Sequence, residues 1–191
     1  MTMFRTLKIG ITTALAATAG LLTSCLQAPD YPTAPQINFK ELKVDRYNFG
    51  IGYTPVDSVR LTIDFTDGDG DLGLSITGDQ EAPYNPTKPD GTYNRTTHNY
   101  FITPYKRTNP NSPFEAVATS STGEYNSRFP PLFSADAKPG PLKGTLTLTT
   151  PFFLGTPFRP GDEVRFEVTI MDRALNESNK ITTSSYIVEK P

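Results

Sequence analysis

Val59-Arg60-Leu61-Thr62-Ile63-Asp64-Phe65 alternates apolar and polar side chains without a break and runs directly into Thr66-Asp67-Gly68-Asp69-Gly70-Asp71-Leu72-Gly73. Strict period two marks a half-buried strand, with Val59, Leu61, Ile63 and Phe65 on its core face. The Asp/Gly run that follows ends it in tight turns. The pattern recurs near the C-terminus. Val164, Phe166, Val168 and Ile170 alternate with Arg165, Glu167 and Thr169, then meet Met171-Asp172-Arg173-Ala174-Leu175-Asn176-Glu177-Ser178-Asn179. Two strands, each ending in an acidic turn, set the fold class.

Weaker strand signals fill the space around them. Ile37, Phe39, Leu42 and Val44 predict a first strand broken near Glu41. Tyr100–Lys106 predicts another, with Pro104 demoting its end. Phe114–Ala118, Thr145–Thr149 and Ile181–Val188 complete the set, and no window after Cys25 has a helical period. Several short strands among Pro- and Gly-rich turns predict an all-β chain, an antiparallel β-sandwich, with a closed barrel as the alternative. Residues 74–98 and 119–141 are longer than ordinary connections, which points to functional loops, disorder or hidden strands.

Composition narrows the function classes. The 191 residues carry 18 basic and 20 acidic side chains. This mild acid excess argues against a general nucleic-acid binder, which needs a basic face. One Cys and one His leave no internal disulfide, no Cys-based zinc cage and no multi-histidine metal site. His98 reads as a loop residue. No G-x-S-x-G or S-x-x-K pattern stands out, and the chain is expected not to be an enzyme.

The first 25 residues carry an address. Arg5 and Lys8 precede an uncharged, largely apolar run, Ile9–Leu22, too short to span a bilayer and of the length of a secretory signal core. Leu22-Thr23-Ser24-Cys25 follows and resembles the bacterial lipobox, in which the Cys is lipidated and becomes the new N-terminus. The resemblance implies a signal peptide over residues 1–24 and a lipidated Cys25. Two or three acyl chains would anchor the protein stably in a membrane. Residues 26–36 hold three prolines and little to bury, so 25–36 reads as anchor and flexible tether, and 37–191 as the folded domain. The expected location is the cell envelope, lipid-anchored at the outer membrane, with the periplasmic and surface faces both open.

The acidic turns suggest a cation. Asp67, Asp69 and Asp71 alternate with glycine, and bringing three carboxylates together is unfavourable unless something neutralises them. Clustered hard oxygens suit Ca²⁺, which takes about 6–8 of them. An EF-hand does not fit, because Leu72 and Gly78 stand where that loop needs its turn glycine and its bidentate glutamate. The alternative is that these aspartates accept backbone N–H groups in Asx-turns with no metal.

Asp172-Arg173-Ala174-Leu175-Asn176-Glu177-Ser178 resembles the D-x-A-G-N-x-S ending of the penultimate strand in many bacterial immunoglobulin-like and fibronectin-type-III-like domains, with Leu175 in place of the usual glycine. With the D-G-D-G-D-L-G run, the chain is similar to uncharacterised bacterial lipoproteins that carry one immunoglobulin-like domain. The resemblance implies a Greek-key sandwich and an envelope location, but no activity. In such a sandwich the two acidic loops lie at the same end. Parity agrees, since Phe65 and Ile170 point inward and so then do Asp67 and Asp172. The expected ligand set for a structural Ca²⁺ is Asp67, Asp69, Asp71 and Asp172, with Asn176 as a neutral donor. Asp64 has outward parity and carries less weight.

Tyr84, Tyr93, Tyr100, Tyr105 and Tyr125 lie in or beside the long segments. They could stack on sugar rings or cover sandwich edges. Two functions follow. One is a membrane-tethered binding or scaffold module for an envelope protein, which should expose an apolar patch or a free edge strand. The other is a glycan-binding lipoprotein of a nutrient-uptake system, which should present several tyrosines coplanar on one exposed face.

Overall fold

The computed structural model describes residues 28–133 and 138–190. Cys25 and residues 1–24, where a signal peptide is expected, lie outside the described residues. The described chain is all-β and builds two antiparallel sheets. The first contains β1 (Gln36–Tyr47), β2 (Val56–Asp67) and β5 (Leu142–Phe153), in the order β1-β2-β5. The second contains β3 (Tyr100–Arg107), β4 (Glu115–Ala116), β6 (Glu163–Ile170), β7 (Ile181–Thr182) and β8 (Tyr186–Ile187). Its order is β4-β3-β6-β7, with β8 pairing β6 as well.

The two strands with the clearest alternation, β2 and β6, are the central strands of their sheets. Val59, Leu61, Ile63 and Phe65 from β2 meet Val164, Phe166, Val168 and Ile170 from β6 in one core. Phe152, Phe158, Phe166 and Tyr125 form an aromatic cluster within it, with Tyr125 stacked on Phe152 at 4.7 Å between ring centres. Burying a side chain of this size contributes roughly 1.5–3 kcal/mol.

Departures from the expected strands have local causes. The break near Glu41 is a register shift between Phe39 and Glu41 inside a continuous β1. Such a bulge lets Phe39 face the sandwich and still returns Leu42 and Val44 to it. Pro104 sits within β3, which continues to Arg107. Its missing N–H would point to the β4 side, where pairing covers two residues of β4 and the Pro104 carbonyl accepts Val117 N–H at 2.9 Å. The last strand is split in two. Between its halves Thr183 takes over the ladder, its hydroxyl accepting Phe166 N–H at 3.0 Å and its own N–H donating to Phe166 O at 2.9 Å. Among the described residues, 74–98 and 119–141 hold no strand, only a short 3-10 turn at Arg95–Thr97 and isolated bridges.

Candidate metal centre

Strands β2 and β6, from opposite sheets, both run out at the same end of the sandwich. The inward parity of the apolar residues, continued to the last residue of β2 and two residues past β6, puts Asp67 and Asp172 at the floor of that end, 0% and 1% exposed. The β2 loop is pinned by Leu72 and Leu74, both buried, and by Leu74 N–H donating to Phe129 O at 3.0 Å. Between the acids, Gly70 has φ +76°, and a Cβ there would collide with the Gly140 carbonyl, so only glycine fits.

The acids use some of their oxygens locally. Asp67 Oδ2 accepts Gly70 N–H at 2.9 Å, which closes the turn over three residues. Asp71 Oδ2 accepts Ala174 N–H at 2.9 Å and so ties one acidic loop to the other. Asp172 accepts Asn176 N–H on Oδ1 at 2.7 Å and Asn176 Nδ2–H on Oδ2 at 2.8 Å. Asp67, Asp69, Asp71 and Asp172 each offer one carboxylate oxygen within 4.8 Å of all the others. The Oδ1 atoms of Asp67, Asp69 and Asp71 are buried and accept no hydrogen bond among the described residues.

Such a cluster is electrostatically loaded. Burial, then the charges of Asp69, Asp71 and Asp172, push the Asp67 carboxyl up to about 7 against the donation from Gly70. Asp71 and Asp172 are raised as well, mainly by burial and then by their acidic neighbours, with hydrogen bonds opposing. Buried carboxylate oxygens without donors are costly, and a proton, an ordered water or a cation can remove the cost. Four carboxylates within 4.8 Å of one another could hold a hard divalent cation.

The structure brings together the four aspartates singled out in the sequence and places Asn176 beside them, where both its nitrogens donate to Asp172. Asp64 lies on the outer face, bonded to Lys40 at 2.9 Å and Thr145 at 2.6 Å. The left-handed backbone that glycine usually supplies in this turn is adopted by Leu175 itself, at φ +69°. The reason is the turn around it: Leu175 N–H donates to Asp172 O at 3.3 Å, and Asp172 N–H to Asn176 O at 3.1 Å.

The five tyrosines do not share a face. Tyr100 is wholly buried in the core and Tyr125 packs on Phe152. Tyr93 bonds His98 Nδ1 at 2.9 Å, Tyr84 donates to Arg173 O at 2.5 Å, and Tyr105 donates to Glu167 at 3.1 Å. His98 is half-buried, which together with the nearby Arg128 charge lowers its pKa.

Two arginines escaped the sequence reading. Arg173 grips Asp79 with both terminal nitrogens, each at 2.8 Å, and holds its carboxyl down to about 2. Arg128 donates to the carbonyls of Ser75 at 2.9 Å, Asp79 at 2.8 Å, Tyr84 at 2.7 Å and Thr97, and to the Thr97 hydroxyl at 3.0 Å. Arg173 could have been suspected from its place beside Asp172. Arg128 offers no sequence signal, because its acceptors are backbone atoms of remote residues.

Fold and site together define an all-β sandwich protein with a four-aspartate cluster at one end. No family model matches the chain, and no curated protein or solved structure matches it.

Proposed function

We propose that the chain is a non-enzymatic, membrane-anchored binding or scaffold module of the bacterial cell envelope, an immunoglobulin-like sandwich whose anchor-proximal end is locked by Ca²⁺. The observation that carries the cation is three buried carboxylate oxygens without hydrogen-bond partners, on Asp67, Asp69 and Asp71, in a four-aspartate cluster whose carboxylates approach within 4.8 Å. The strand order β1-β2-β5 against β4-β3-β6-β7 supports the immunoglobulin-like reading, in which the second and sixth strands occupy the centres of opposite sheets.

The chain enters the sandwich beside the cluster, where the carbonyls of Tyr31 and Pro32 lie against Gly68. Cys25 is only a few residues earlier, a reach of about 20 Å at about 3.4 Å per residue. A lipid on Cys25 would therefore hold the metal centre close to the membrane. The opposite end, roughly 40 Å away along β2, carries Tyr47, Phe49, Ile51, Tyr53 and Phe153, all at least half exposed. Tyr47 to Val56 contains no charged residue. Such an apolar tip is the surface expected of a module that holds a partner protein, and it favours that role over glycan binding.

Metabolic labelling with palmitate tests the anchor. Wild-type protein expressed in a Gram-negative host should take up label and sediment with membranes, and Cys25→Ser should do neither. A Cys25→Ser protein that still sediments with membranes would overturn the lipid-anchor reading.

A further inference from the structure

We propose that the cation at the Asp67/Asp69/Asp71/Asp172 centre acts as a latch for the long 74–98 connection, so that the surface this connection presents is formed only in the cation-loaded protein. The proposal rests on the reading above that the centre binds a divalent cation, and it adds what that binding controls.

The connection has little apolar burial of its own. Leu74 enters the core at one end and Asn99 is buried at the other, yet no residue from 75 to 93 is buried. Its order therefore depends on polar ties, and segments held this way open at low free energy. The ties converge on one short turn. Arg173, the residue after Asp172, grips the Asp79 carboxylate at two points and reaches Gly73 O at 3.3 Å. The backbone carbonyl of Arg173 accepts the Tyr84 hydroxyl, and the Tyr84 ring centre lies 5.5 Å from the guanidinium carbon. Arg128 then gathers the carbonyls of Ser75, Asp79 and Tyr84 against Thr97.

The turn that carries Arg173 is held by the metal centre. Ala174 N–H donates to Asp71 Oδ2, and Asp172 is a member of the cluster. With no cation, four carboxylates at this spacing repel, and one relief is for the 69–71 turn to move off from Asp172. That movement takes the Asp71 acceptor from Ala174 and shifts Arg173 away from Asp79 and Tyr84. The cation removes the repulsion and lets the turn, Arg173 and the 74–98 connection seat together. By linkage, a partner that docks on the seated connection binds more tightly when the cation is present.

Hydrogen exchange of the purified full chain in EDTA and in saturating Ca²⁺ tests the latch, with calorimetric titration of Ca²⁺ alongside. Amides of residues 75–98 should exchange about tenfold or more slowly with Ca²⁺. In Arg173→Ala that protection should vanish, and the Ca²⁺ affinity seen by calorimetry should weaken by up to the same factor while binding persists. Asp79→Asn, which removes the same clasp from the other side, should behave alike and guards against a folding defect in one variant. Equal exchange of 75–98 with and without Ca²⁺ in a protein that binds Ca²⁺ would overturn the latch and leave the metal centre standing. So would Ca²⁺-dependent protection that survives both variants. A calorimetric blank would overturn the metal reading and the latch with it.

Discussion

Asp67 and Asp172 leave the central strands of opposite sheets and meet, both buried, as members of one cluster of carboxylates within 4.8 Å. Asp67 is the last residue of β2 and Asp172 lies two residues past β6, each the next inward position after the apolar residues that form the core. The alternation that packs the sandwich thus also delivers two acids to its end.

Replacing one acid by its neutral isostere should have opposite effects in the two ion states. In EDTA, Asp67→Asn keeps the acceptor for Gly70 N–H and removes one of the repelling charges. It is expected to raise stability by about 1 kcal/mol, or about 2–4 °C for a domain of this size. In saturating Ca²⁺ the same variant loses a ligand and should melt below wild type. Thermal scans in the two buffers check the crossing.

The pH profile has a defined sign. In the metal-free protein Asp67 titrates near 7, and near 3.9 when unfolded. Between those values the native state holds a proton that the unfolded state has released. Stability from this group is full below about 4 and falls as pH rises through about 7. Asp71 and Asp172 act in the same direction. Protons compete with the cation, so the stabilisation by Ca²⁺ should grow over the same range. At the acid end Asp79, held down to about 2 by Arg173, contributes stability above about 3.9 that is lost as pH falls towards 2. Melting temperatures from pH 2 to 9 in EDTA and in Ca²⁺ measure both limbs.

Leu175 is the one non-glycine residue with positive φ among the described residues. A left-handed leucine costs roughly 1–2 kcal/mol. Leu175→Val should lose a further 1 kcal/mol or so, since β-branching makes that backbone harder still. Leu175→Gly, by relieving the strain, should be at least as stable as wild type. Denaturant midpoints of the two variants give the comparison.

Arg128 supplies the donors for four backbone carbonyls and a hydroxyl. Arg128→Met leaves them without their donor and should cost about 2–4 kcal/mol. Arg128→Lys should recover little, because an ammonium cannot serve so many acceptors in the plane of a guanidinium fork. Chemical denaturation reads the loss, and cleavage by trypsin after Arg95 reads the loosened connection.

What the sequence made legible follows from which interactions leave a periodic trace. Period two marked β2 and β6, and the same parity brought Asp67 and Asp172 to one place. Leu142–Phe153 showed only its Thr-Leu centre, because its ends lie at a sheet edge and mix proline, glycine and phenylalanine. The fate of the tyrosines was hidden. Tyr100 and Tyr93 sit only seven positions apart, yet one is core and the other a loop hydrogen-bond donor or acceptor. The clasps of Arg173 on Asp79 and Arg128 on loop carbonyls join remote residues without a motif, so only the folded chain reveals them. At Leu175 the turn's hydrogen bonds overrode the local preference for glycine.

The most direct test of the calcium-locked sandwich is thermal unfolding of the purified protein across a Ca²⁺ series, beside EDTA. Binding to the native state stabilises by RT ln(1 + [L]/Kd), about 2.7 kcal/mol at a hundredfold excess over Kd, a shift of about 5–11 °C for a domain of this size. The melting temperature should rise by this law, and the rise should disappear in Asp69→Asn and Asp172→Asn. A melting temperature that does not move up to millimolar Ca²⁺ would contradict the calcium-locked sandwich, and would leave the four aspartates as hydrogen-bonded turns alone.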